Sequence, residues 1–282
     1  MTKRILTLLA LSAALFAGCS GGGRVAPPAL TRTNPENITR GAASPGPTVS
    51  PLTYYGGPVL RYPKVYVTYW NWASDPSGEK PYLESFLNGF EGSKLENILT
   101  QYYDTTGSIT NSAHQFKGTW SDPHPEPSPA ALTDADFAAA AIRSEGHFGY
   151  NSSAIYLIAI TSDPPQFTCA SHGSTTDSTG RLIAYILYPY QGAGSCDQNA
   201  VNPGSKGLLD GVGINATHEI AEAITNPFGS AGKPGWISGE DANVEIADAC
   251  QQYLANVTLS TGTFAVQALD SNASGTCTFS YP

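Results

Sequence analysis

Three short runs constrain this chain more than any other feature: Val65 to Trp70 (VYVTYW), Ile155 to Ile160 (IYLIAI) and Leu182 to Tyr188 (LIAYILY). Each is apolar, β-branched or aromatic almost throughout and too short for a helix, the pattern of a strand buried in a sheet. Between them the period changes. Tyr82 to Gln101 (YLESFLNGFEGSKLENILTQ) has apolar residues at helical spacing with a Gly-containing break, and Thr133-Asp134-Ala135-Asp136 starts a second helix before the Ala-rich Phe137 to Ile142. A third helix is predicted through GVGINATHEIAEAIT, capped by Asp210 and ended by Asn226-Pro227. Asp122 to Pro129 and Ser162 to Gly180 are Pro-, Ser- and Thr-rich and read as loops. The tail, Tyr253 to Leu259, Thr263 to Leu269 and Cys277 to Tyr281, reads as short strands or hairpins. Strand, helix, strand, strand, helix is the order of an α+β fold, here one domain with helices grouped on a mixed sheet.

The chain of 282 residues is 41% apolar, enough for a packed core over residues 53–282. Lys and Arg number 14 against 23 Asp and Glu, a net charge of -9 with no basic cluster, which excludes a nucleic-acid partner. Residues 1–18 form a signal peptide: Lys3 and Arg4, apolar Ile5 to Phe16, then small Ala17-Gly18. That stretch is too short to span a bilayer permanently. Leu15-Phe16-Ala17-Gly18-Cys19 resembles a bacterial lipoprotein signal, with Phe16 where Leu is usual, and the resemblance implies an exported protein held to the membrane through lipid on Cys19. Residues 19–52, rich in Gly, Pro, Ser and Thr without apolar period, then serve as a disordered linker. Four cysteines remain, Cys169, Cys196, Cys250 and Cys277, an even number that points to two disulfides in an oxidising compartment. Three pairings exist; the nearest-neighbour one closes two loops of comparable, modest length. No CxxC spacing supports a Cys-ligated zinc.

The chemistry concentrates in His218-Glu219-Ile220-Ala221-Glu222, an H-E-x-x-E. In the zincin motif H-E-x-x-H, residues i and i+4 leave one helix face and bind a metal, while the Glu at i+1 is the general base. Here Glu222 takes the second ligand position beside His218, and Glu219 is the base. The extra carboxylate charge makes the ion a poorer Lewis acid than a two-His site would. A third donor is required, and Gly239 to Cys250 (GEDANVEIADAC) supplies acidic candidates. If Asn243 caps a short helix, Glu245 and Asp248 share one side while Ile246 and Ala249 turn inward. One of the two completes the site and the other orients His218 through its second ring nitrogen. The bland alternative is a solvated helix face, weakened because no Lys or Arg lies within four residues to pair these acids.

Thr217 to Pro227 (THEIAEAITNP), then Gly235-Trp236, then Glu245 to Cys250 (EIADAC), resemble the EXORDIUM-like, phosphate-induced protein family. Tyr55-Gly56-Gly57-Pro58-Val59-Leu60 with Val65 to Trp70 is similar to that family's opening segment, and Phe167 to Gly173 (FTCASHG) to its Cys-and-His loop. The resemblance covers roughly residues 53–282, lacks the plant members' late Gly-rich run, and implies an extracellular role linked to the cell wall. His172, in that loop, is placed to polarise a substrate carbonyl or to act as a further ligand. The expectation is an exported, zinc-dependent, peptidase-like hydrolase on a zincin-like domain. It sets His218, Glu222, Glu245 and Asp248 around zinc, with Glu219 and His172 as catalytic groups, and a peptide or cell-wall substrate. Two alternatives stand beside it. One is a non-catalytic module binding cell-wall carbohydrate or a surface partner, for which the Tyr and Trp residues near Val65 to Trp70 would stack sugars if they were not core. The other is a calcium site, since hard cations prefer oxygen. No G-x-S-x-G elbow points to a serine hydrolase.

Overall fold

In the computed structural model, which describes residues 46–161, 169–193 and 196–282, the three apolar runs become the three central strands of a five-stranded sheet. The elements in chain order are β1 (Leu52–Tyr54), β2 (Lys64–Trp70), α1 (Glu79–Phe90), β3 (Tyr103–Asp104), β4 (Gly107–Ser108), β5 (Phe116–Asp122), α2 (Asp134–Phe148), β6 (Ala154–Ile160), β7 (Ser171–Thr176) and β8 (Leu182–Tyr188). Then follow α3 (Asp210–Thr225), β9 (Trp236–Ser238), β10 (Leu254–Leu259), β11 (Gly262–Gln267), β12 (Leu269–Ser271) and β13 (Thr276–Thr278). The sheet order is β5-β2-β6-β8-β7; β5, β2, β6 and β8 run parallel, and β7 is an antiparallel edge. The fold is therefore α+β around a mixed sheet.

Strand β6 shows why its run is apolar at every position. Ile155, Leu157 and Ala159 enter one core with α1 and α3, whereas Tyr156, Ile158 and Ile160 enter a second core with Phe137, Ala140 and Ala141 of α2. Alternate side chains thus meet different helices, so both registers must be apolar. α2 starts as its sequence predicts: the Asp136 carboxylate accepts the backbone N–H (2.9 Å) and the hydroxyl (2.6 Å) of Thr133 in a capping box. Tyr69, Trp70 and Trp72 are core residues, so they form no exposed stacking platform.

One of the five strands, β7, falls inside the expected Ser162 to Gly180 loop, and another, β5, lies in a stretch for which no element was predicted. β5 (FKGTWSD) alternates between half-buried and exposed residues at the sheet edge, and its pairing with β2 is irregular next to Gly118, whose φ is 119°. β7 (SHGSTT) has no apolar residue; its pairing to β8, with Gly173 against the Tyr185 ring, makes it a strand. Edge strands need only one paired side, so neither shows the apolar run of a central strand. The expected linker also ends early. Thr48 bridges to Thr276, the Val49 N–H donates to Gly275 O (3.0 Å), and Leu52 is buried where β1 pairs with β9. Residues 1–18, Cys19 and the linker up to residue 45 lie outside the described residues, as do 162–168 of the Ser162 to Gly180 segment. Among the described residues no helix is long and apolar enough to cross a membrane. Disulfides join Cys169 to Cys196 and Cys250 to Cys277, with Cα atoms 5.3 and 5.7 Å apart.

Candidate metal centre

α3 is buried at every position except Asn215 and His218, which are half-buried, so its ionisable residues are not a solvated face. The Tyr188 hydroxyl donates to Val212 O (2.7 Å) from the sheet, and Gly213 lies against the Ala265 backbone of β11 on the other side. Thr217 and Thr225 return their hydroxyls to the carbonyls of Gly213 (2.6 Å) and Ala221 (2.9 Å), which satisfies two polar groups inside an apolar helix. The Asn226 N–H closes the last turn on Glu222 O (2.7 Å) before Pro227.

Three segments converge on the His218–Glu222 stretch. His218 Nε2 is 3.1 Å from Glu222 Oε1, as i,i+4 spacing on one helix allows, and 3.6 Å from Asp248 Oδ1 in the turn after β9. His172, on β7, approaches from the sheet edge. Its Nδ1 is 3.4 Å from Glu219 Oε2 and 3.5 Å from Glu222 Oε2, and its Nε2 is 3.4 Å from Glu245 Oε2. All six sequence-proposed residues therefore meet. The segment carrying Glu245 and Asp248 differs from the helix expected there. Asp248 Oδ2 accepts the Glu245 N–H (2.8 Å), so the turn is capped from its far end and not by Asn243, and Ala247 is buried with Ile246 while Ala249 is exposed.

Two further residues, absent from the sequence-based set, hold the cluster in place. Gln267 donates its amide to Ala247 O (2.6 Å), which leaves Gln267 Oε1 to accept from His218 Nδ1 (3.1 Å). In the neutral imidazole that bond leaves the Nε2 lone pair facing Glu222 and Asp248. The partner of the second ring nitrogen of His218 is thus Gln267, and neither Glu245 nor Asp248 takes that place. Asn226 accepts the Gly235 N–H (2.7 Å) and donates to Glu245 Oε1 (3.0 Å). The one signal for Gln267 is a lone amide inside the apolar run FAVQAL; Asn226 reads in the sequence only as a helix stop.

Burial opposes charge on all of these groups, and their neighbours decide the result. For His172, burial pulls the imidazole down, but the hydrogen bonds to Glu219 and Glu222 and the charge of Glu245 hold it well above its ordinary value. Burial also pulls His218 down, but Glu222, by charge and hydrogen bond, together with the charges of Glu219 and Asp248, pushes it up to about 10. Glu222, though buried, is held well below the usual carboxylate range by the two imidazoles. Burial raises Glu245, and burial with the charge of Glu222 raises Asp248 to about 6. Among the described residues the two imidazoles are the only cationic groups within ion-pair distance of these acids.

The residues fit a divalent cation. Imidazolium–carboxylate hydrogen bonds contract to about 2.7–2.9 Å, whereas the edge of a tetrahedron of ligands about 2.0–2.2 Å from zinc is about 3.3–3.6 Å. Three separations between candidate ligands match that edge pair by pair: 3.5 Å from His172 Nδ1 to Glu222, 3.4 Å from His172 Nε2 to Glu245, and 3.6 Å from His218 Nε2 to Asp248; an imidazole gives one ion one nitrogen, so the two His172 distances are alternatives. Glu222 Oε1 and Glu245 Oε2 are also buried with no hydrogen-bond donor other than an imidazole Nε2, 3.1 and 3.4 Å away. No family model, no curated protein and no solved structure matches this chain.

Proposed function

We propose that the protein is an exported, metal-dependent hydrolase of zincin-like design, acting on peptide or related amide bonds of the cell envelope and tethered by lipid on Cys19. The observation that carries the reading is the convergence of His218, Glu222 and Asp248 from a helix and a distant turn, with one potential ligand atom of each within 4.8 Å of the others. Asp248, and not Glu245, is the third donor to this ion, because it is the acid that faces His218 Nε2. An imidazole among the donors favours zinc over calcium. Two disulfides support an oxidising compartment.

A bound zinc supplies a Lewis acid and makes water acidic enough to attack near neutral pH. Glu219, next to the ligand pair on α3, accepts the proton of the attacking water and returns it to the leaving amine. His172 Nδ1, 3.4 Å from Glu219 Oε2, fixes the orientation of that carboxylate. The six side chains are between 6% and 23% exposed, so the cluster is largely withdrawn from solvent.

Metal analysis of the purified protein, with turnover of a peptide library, tests the proposal. Retained zinc that raises the melting midpoint more than calcium does is expected, and Glu219→Gln is expected to keep the metal while lowering turnover by at least a hundredfold. A protein that retains and responds to no divalent ion, or a Glu219→Gln variant of full activity, would overturn it.

A further inference from the structure

We propose that the centre holds two divalent cations, with Glu222 as the carboxylate that bridges them; this rests on the metal reading above and extends it. The donors fall into two groups that share a single residue. His218, Glu222 and Asp248 form one, and His172, Glu222 and Glu245 the other, with the ligand atoms of each within 4.8 Å of one another. The two oxygens of Glu222 divide between them: Oε1 lies 3.1 Å from His218 Nε2, and Oε2 lies 3.5 Å from His172 Nδ1. A carboxylate whose oxygens face opposite donor sets is the bridge of two-metal sites, which hold their ions about 3.5–4 Å apart. The turn from Glu245 to Asp248 repeats that division, sending Glu245 to His172 Nε2, the ring nitrogen not engaged with Glu219 and hence the one that ligates, and Asp248 to His218 Nε2.

The cluster holds four carboxylates, Glu219, Glu222, Glu245 and Asp248, the number whose charge two divalent ions match. The acceptors with no donor other than an imidazole mark the same two places: Glu222 Oε1, on a side chain 6% exposed, belongs to the His218 group, and Glu245 Oε2 to the His172 group. The second group also accounts for the placing of His172. A polar strand, β7, is held at the sheet edge and brings one imidazole to α3, between two acids of the helix and one of the distant turn.

Elemental analysis of the purified protein, loaded with zinc and freed of excess by dialysis, tests the count, and the wild type with two equivalents of manganese gives a second readout by electron paramagnetic resonance. The expected result is two zinc equivalents per chain, falling to one in His172→Ala and to one in Asp248→Asn, together with an exchange-coupled manganese pair. One equivalent in the wild type, retained in His172→Ala, overturns the second ion and leaves the single-ion reading standing. No retained zinc overturns both. If His172→Ala does not fold, the wild-type manganese spectrum decides, and an uncoupled six-line signal at two equivalents overturns the bridge.

Discussion

Asp270 is fully buried in β12, and neither of its carboxylate oxygens accepts a hydrogen bond. Burial alone raises it from 3.8 to about 7. Its folded-state value lies above its unfolded one, so its contribution favours the fold in full below pH 3.8 and is lost as pH rises through about 7. Asp270→Asn removes the ionisation. The variant is expected to gain on the parent as pH rises from 4 to 8, reaching about 1–3 kcal/mol at the upper end, in thermal melts across that range. A constant difference between the two proteins would show that the carboxylate does not titrate as a buried acid. Glu79 and Glu96, which burial raises to about 8, add slope of the same sign. Glu222 is the opposite case: equally buried, it is held down because imidazoles face it. Position in the chain separates none of these acids; what lies within a few ångströms does.

Among the elements, α3 does most to position the centre, and Gly213 sets how closely it approaches β11. A Cβ at this position would meet the Ala265 carbonyl. Gly213→Ala is expected to destabilise the protein by about 1–3 kcal/mol through overpacking, read from urea unfolding, and to weaken metal retention by separating His218 from Gln267. Unchanged retention would mean that the helix–hairpin spacing does not govern the ligand geometry. The start of α2 and the end of α3 were legible in the chain because caps and stops are local chemistry: a capping box at Thr133 and an Asn-Pro stop at Asn226-Pro227. The cap expected of Asp210 does not form: Leu209 holds the N-cap position, and the Asp210 carboxylate accepts the N–H groups of Val201 and Asn202 in the preceding loop. β7 was not legible. Its six residues have no apolar member, and its strand conformation comes from β8, a partner with which it shares no local pattern.

Over the whole molecule, the Cys250–Cys277 disulfide fastens the acidic turn to the C-terminal hairpin, two residues beyond Asp248. It spans a separation of 27 residues, and closing a loop of that size removes about 3–4 kcal/mol of unfolded-state entropy. Replacing both cysteines with Ala is expected to lower stability by about that much in urea unfolding and to reduce metal retention further than the Cys169–Cys196 pair does when treated alike. Equal retention in the two variants would show that the turn holds its shape without the bridge. The sequence by itself determined the three central strands, the helices, the α+β class and the residue types of the cluster, because period, caps and ligand spacing act over a few residues. Only the tertiary structure decided that β7 delivers His172, that Glu245 and Asp248 face different imidazoles, and that Gln267 and Asn226 hold His218 and Glu245. Those relations join side chains 19 to 73 positions apart, and burial across such distances follows from how sheet, helix and hairpin stack, which no local pattern encodes.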